Sequence, residues 1–148
     1  MTYVLSEDAI IYYNSGTYGV PTWVELTNVR DVSLNLEMGE IDVTTRASGG
    51  WTENVPGLLT SSVDFGMLWD NDDAGFTAVR EAFFAKSGLE FLVLDGAHDA
   101  TDGNSQGLRA TCMIGNFTRN ETLGEALTVD VSIKPVKNSS SSPEWYTQ

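Results

Sequence analysis

A chain of 148 residues, 41% of them hydrophobic, is long enough to bury one core and requires no second domain. Its 21 acidic residues against 8 basic ones give a formal net charge of -13, and no Lys or Arg cluster occurs, which excludes a nucleic-acid-binding surface. A lone cysteine, Cys112, excludes an internal disulfide and a multi-cysteine zinc site, and in the strand-like LRATCMIG it reads as an inert buried thiol.

No apolar run approaches the roughly 20 residues that cross a bilayer. The opening MTYVLSEDAII has no basic region ahead of a long apolar stretch, so the chain reads as soluble, without membrane binding or a secretion signal.

Taken in order, AIIYY (Ala9 to Tyr13) is a short strand followed by the turn-rich NSGTYGVP. From Thr22, TWVELTNVRDVSLNLEM predicts one strand of about fifteen residues, with Val24 and Leu26 and then Val32, Leu34 and Leu36 on even positions. Asn28 and Arg30 interrupt that face and point to a bulge or an emergence from the core. The segment GEIDVTTRASGGWTENVPG, Gly39 to Gly57, alternates briefly at Ile41 and Val43 but otherwise reads as a long projecting loop, functional or mobile. Leu58 to Trp69 is the next long strand, alternating through Val63, Phe65 and Met67.

The stretch DNDDAGFTAVREAFFAKSG places Asp70, Asp72, Gly75 and Glu81 in register with a calcium-binding EF-hand loop. Ala74 removes one ligand oxygen, and a strand rather than a helix precedes the loop, so a capped helix fits better. Asp72 or Asp73 caps a helix over about 73–86, Phe76, Val79 and Phe83 share one face, and Gly88 stands where a C-terminal cap is expected. Then come a short buried strand, LEFLVLDG, the loop GAHDATDGNSQG, and two longer strands, LRATCMIGNFTRN and TLGEALTVDVSIKP. The last carries Leu123, Leu127, Val129, Val131 and Ile133 on odd positions and Thr128, Asp130 and Ser132 on the other face.

The sum is a mainly β fold, an antiparallel sandwich or small barrel of about seven strands with one flanking helix, over residues 1–136. Residues 137–148 form a Ser-rich tail ending in Trp145 and Tyr146, either disordered or an arm docking on a neighbour. The longest strands would each span about 40 Å at 3.3 Å per residue. Such edges suit pairing with other copies better than an isolated sandwich.

No catalytic, metal or cofactor constellation emerges. His98 is the only histidine, no nucleophile elbow or phosphate loop occurs, and the many carboxylates single out no glycosidase pair. The sequons at Asn116, Asn120 and Asn138 read as chance.

The succession of W-V-E-L-T-N-V-R-D-V-S, the loop E-I-D-V-T-T-R-A-S-G-G-W followed by P-G-L, the strand into D-N-D-D-A-G-F and its helix, and the closing N-F-T-R-N-E-T-L-G-E-A-L-T-V-D-V-S-I-K-P resembles the major tail tube proteins of tailed bacteriophages, which are similar to type VI secretion tube proteins. The likeness runs from about Gly16 to Pro135 and lies in segment order and spacing. It implies a virion structural protein, made in the host cytoplasm, that self-assembles into hexameric rings stacked as a hollow tube for genome ejection. DNA would pass without specific binding, and tape-measure, baseplate and terminator proteins would be partners. By the same resemblance Ile41, Val43, Thr45, Arg46, Trp51 and Pro56 would belong to a ring-stacking loop. The polar positions Asp31, Ser33, Thr60, Ser62, Asp64, Asp130 and Ser132 would be candidates for the lumen, with the choice of inward-facing sheet open. The alternative from another class is a monomeric β-sandwich binding module for carbohydrate or protein, using Trp23, Trp51 or Trp145.

Overall fold

Period-two alternation sets most of the strands, and one short connection sets their arrangement. A computed structural model of the chain describes residues 3, 5, 8–98, 105–137 and 142–147. The elements are β1 (Ile10–Asn14), β2 (Trp23–Glu25), β3 (Val29–Asp42), β4 (Asn54–Leu68), α1 (Ala74–Ala85), β5 (Leu89–Leu94), β6 (Gln106–Asn120), β7 (Thr128–Pro135) and β8 (Glu144–Thr147). The strands form one antiparallel sheet in the order β2-β1-β5-β6-β7-β4-β3, with β8 added to β6.

β2 and β3 stand at opposite ends of that order, yet only Leu26, Thr27 and Asn28 separate them. So short a link reaches no further than about 14 Å, so the sheet must curl until its ends approach each other. The Leu26 N–H donates to the Ile11 carbonyl and the Leu68 N–H donates to that of Asn28, tying the link to strands near both ends. The strand expected from Thr22 is therefore broken in two, and β8 brings the count to eight against about seven expected. The irregularity expected near Asn28 and Arg30 is present, with a register shift between Val29 and Val32.

Inside the curl lies the larger of two buried apolar clusters. Val63, Phe65 and Met67 of β4 meet Val129, Val131 and Ile133 of β7, with Leu108, Ala110, Cys112 and Ile114 of β6 beside them. A register shift between Ile114 and Asn116 changes the parity of β6, so Phe117 rather than Asn116 continues the apolar face. Helix α1 lays Phe76, Val79 and Ala82 on this core, and the Phe76 ring meets those of Trp69 and Phe117 at 4.7 and 6.1 Å. At Gly107 the backbones of β5 and β6 run so close that a Cβ would lie 1.6 Å from the Val93 carbonyl oxygen.

The acidic loop before α1 makes caps rather than a cation cage. The Asp73 carboxylate accepts from the Phe76 N–H at 2.8 Å, Asp70 accepts from the Asp72 N–H at 3.0 Å, and strand β4, not a helix, enters the loop. At the other end Lys86, not Gly88, adopts the left-handed conformation (φ 56°), and its N–H reaches the Ala82 and Phe83 carbonyls.

The C-terminal segment is a strand of its own chain's sheet. β8 pairs with Gln106–Arg109 of β6, Trp145 Nε1 donates to Gln106 Oε1 at 3.1 Å, and Tyr146 packs on Tyr12, Leu92 and Leu94. The linker residues 138–141, with the sequon residue Asn138, lie outside the described residues; Asn116 and Asn120 are on β6.

Candidate functional site: a polar sheet face and an apolar arm

No cluster among the described residues has the makings of a metal centre. The His98 ring is stacked on Tyr146 at 5.8 Å and lies edge-on to Tyr12 at 6.1 Å. Burial, and then the nearby Glu90 charge, push the Cys112 thiol up to about 12, so the sulfur is neither exposed nor a thiolate at neutral pH. The three tryptophans weighed as a carbohydrate platform sit on separate elements, Trp23 on β2 facing the Arg109 guanidinium, Trp51 at the end of the β3–β4 hairpin and Trp145 on β8.

Two surfaces remain. The first is the non-core face of β3, β4, β7 and the lower half of β6. Cross-strand register places Ser33, Asp64, Ser132 and Asn116 in one row, and Gly66, Asp130 and Thr118 in the next. Ser62 pairs with Asn35 and Thr60 with Glu37 further along. Asp31, Ser33, Asp64, Asp130 and Ser132 all line one shallow hollow with Arg30, Asn116 and Thr128. The seven polar residues singled out in the sequence thus lie on three adjoining strands. Asn116 and Thr118 join them unpredicted, because the parity change at Gly115 hides them from simple alternation. Asn120 Nδ2 donates to Asp130 at 2.6 Å, holding that carboxylate at the sheet surface.

The second surface is the outer half of the β3–β4 hairpin. Strand pairing continues to Asp42 and Asn54, so the predicted loop of Gly39–Gly57 begins and ends in sheet, and residues 43–53 connect the strands. β-branched Ile41, Val43 and Val55 favour extended backbone here. The connection is internally bonded. Val43 N–H donates to the Glu53 carbonyl at 2.9 Å, Thr44 Oγ1 accepts from the Glu53 N–H at 2.8 Å, and Thr45 caps a single helical turn at Arg46–Ser48. Asp42 accepts from Thr44, which holds its carboxyl below the usual range. Gly49 and Gly50 then take φ of 68° and 86°, a turn that side-chain-bearing residues resist.

This arm carries apolar side chains into solvent. Trp51 is 79% exposed, Leu58 84% and Leu59 76%, with Leu36, Met38, Ile41, Val43 and Val55 also exposed. Apolar exposure of this extent on a projecting hairpin is a feature of binding surfaces. Ile41, Val43, Thr45, Arg46, Trp51 and Pro56, singled out in the sequence, all lie on it; Leu36, Met38 and Leu59 were missed, although the alternation Leu34, Leu36, Met38 runs on past the end of the core.

Both edges of the polar face are open. No strand flanks β3 beyond β4 among the described residues, and β5 follows β6 only as far as the pair Leu89–Cys112, leaving Met113 to Asn120 without a strand on that side.

The sequence profile of the family described as phage tail tube protein matches residues 4–135. The chain belongs to the phage tail tube protein family. The fold resembles the SPP1 tail tube protein with a TM-score of 0.76 at 11% identity, covering 99% of this chain and 80% of that one. It also resembles the tail of an empty gene transfer agent particle resolved with C6 symmetry, at 0.72 and 16% identity over 97% and 98% of the two chains. A third similar structure is the sheath–tube complex of an extracellular contractile injection system, at 0.65 and 7% identity over 99% and 93%. Comparison with curated protein sequences returns no match. No helix of this tail tube family member is long and apolar enough to cross a membrane, among the described residues.

Proposed function

We propose that the chain is the structural subunit of a phage-type tail tube, assembling as hexameric rings that stack into a hollow conduit for the genome, with no catalytic role. The observation that carries this reading is the pair of open edges on the four-stranded polar face. β6 and β4 run one way and β7 and β3 the other. A neighbour rotated about an axis along the strands would lay its β6 edge antiparallel to β3, so alternation continues from copy to copy and closes without a free edge. The sixfold symmetry of the similar gene transfer agent tail supports six copies.

In such a ring α1 and the β2-β1-β5 side lie outside and the polar face lies inside. Asp31, Ser33, Thr60, Ser62, Asp64, Asp130 and Ser132 would line the lumen. Its carboxylates outnumber its cations, so phosphate backbones meet repulsion rather than a binding surface. The arm, with Ile41, Val43, Thr45, Arg46, Trp51 and Pro56, would leave the ring plane and bury its apolar residues on the next ring. Tape-measure, baseplate and terminator proteins complete the reading; one similar structure is the baseplate of an anti-feeding prophage.

Negative-stain microscopy of concentrated protein tests this. Rings or tubes with sixfold symmetry are expected. Only small single particles over a range of salt and concentration would favour a monomeric binding module instead.

A further inference from the structure

An apolar groove opens at the C-terminal end of α1, between Phe83, Phe84 and Lys86 on one side and Met113 and Ile114 of β6 on the other. Phe84 is 73% exposed and Met113 48%, and neither is covered by any described part of the chain. The groove sits where β5 ends and the free edge of β6 begins.

At the opposite edge of the same sheet, β3 carries Leu36 and Met38, 56% and 57% exposed, on the face that further down supplies Leu34 to the core. The two features stand at one height. Register runs Leu34 to Val63, Val63 to Ile133 and Ile133 to Ile114, so Leu36 lies one inward-facing position above the row that contains Ile114. The helix side of the groove and Ile114 lie on the same face of the sheet as Leu36 and Met38, since α1 packs on the core face, while Met113, one position along, faces the other way at the open strand edge. A groove and a matching apolar stripe at opposite edges of one chain make a head-to-tail contact that a second copy supplies.

Resting on the ring reading, we propose that Leu36 and Met38 of each subunit fill the Phe84–Met113 groove of the adjacent subunit in the same ring, making α1 a lateral clamp. β3 then joins its neighbour twice, by backbone pairing to the β6 edge and by side-chain packing under the neighbour's helix. This assigns the exposed Phe84 a partner within the ring rather than between rings.

The test uses the full chain. Leu36→Cys combined with Phe84→Cys, assembled and then oxidised, should give a ladder of cross-linked species ending at the hexamer, while either single variant gives none, since Cys112 is buried. Phe84→Asp should remain folded with an unchanged circular dichroism spectrum yet form no rings, and Phe84→Met should assemble. Tubes from Phe84→Asp at the wild-type critical concentration, or double-cysteine tubes that never cross-link, overturn the clamp while leaving the ring reading intact. Wild-type protein that forms no rings overturns both.

Discussion

Arg109 on β6 donates through Nε to Glu90 on the adjacent β5, with their side chains only 13% and 7% exposed. The rest of each charge is also met. Asn14 donates to the second Glu90 oxygen at 3.0 Å, Arg109 Nη2 donates to the Tyr18 carbonyl at 2.9 Å, and the guanidinium lies 4.3 Å from the Tyr18 ring centre. Arg109→Ala would leave a buried carboxylate without its cation, a defect that costs about 3 kcal/mol. A denaturant titration should show that loss, and a change under about 1 kcal/mol would mean that solvent reaches Glu90 freely.

Met38 and Leu59 are a cross-strand pair at the root of the arm. Replacing Gly39–Leu58 with Asn-Gly closes that pair with a two-residue turn. The variant is expected to melt cooperatively near the wild-type temperature, because the core is untouched, and to yield rings but no stacked tubes by electron microscopy. Loss of soluble folded protein would show that the arm stabilises the monomer.

Alkaline stability follows from two buried acids. Burial and then the Glu90 charge raise the Cys112 thiol from 9.0 to about 12, and burial and then Asp73 raise the Tyr13 phenol. Both neutral forms are favoured by folding, so their contribution is complete below the unfolded values and is lost as pH climbs from those to the folded ones. For Cys112 the window is pH 9 to about 12, worth about 4 kcal/mol in all. Thermal melts across that window should fall steeply for the wild type, and Cys112→Ala, though less stable at pH 7, should show a flatter slope.

Like charges oppose assembly, since each subunit brings -13. Raising sodium chloride from about 0.05 to about 0.5 M shortens the Debye length roughly threefold and should lower the concentration at which tubes form. Sedimentation of assembled material reads this directly, and tubes that form best at the lowest salt would show that repulsion is not the barrier.

β8 covers Tyr12, Leu92 and Leu94 with Tyr146. Truncation after Lys137 should destabilise the subunit by about 2 kcal/mol through lost aromatic burial, seen as a lower melting temperature, while assembly at low temperature persists. Truncated protein that folds normally but cannot form rings would place the segment's main role between subunits.

Much of the fold was legible because burial and alternation coincide. Val63, Phe65 and Met67, and Val129, Val131 and Ile133, have one wet and one dry face, and Asp73 is a helix cap by its place before Phe76. The arm defeated that logic, since Ile41, Val43 and Val55 alternate without any core of their own to justify a strand; their partners are each other. β8 was also hidden, because a Ser-rich segment before Glu144 looks like a tail and its pairing with Gln106–Arg109 depends on contacts far away in sequence. The polar positions of β6 were unreadable for a local reason, the register shift between Ile114 and Asn116.

The shift at Gly115 acts as a phase correction in an otherwise periodic signal. Removing this one residue would invert the display of every position from Asn116 to Asn120, sending an amide and a hydroxyl toward Phe76 and turning Phe117 out onto the polar face. A single deleted codon would thus spoil the polar face and the core together, which makes this small irregularity the point where the subunit's wet and dry surfaces are kept apart.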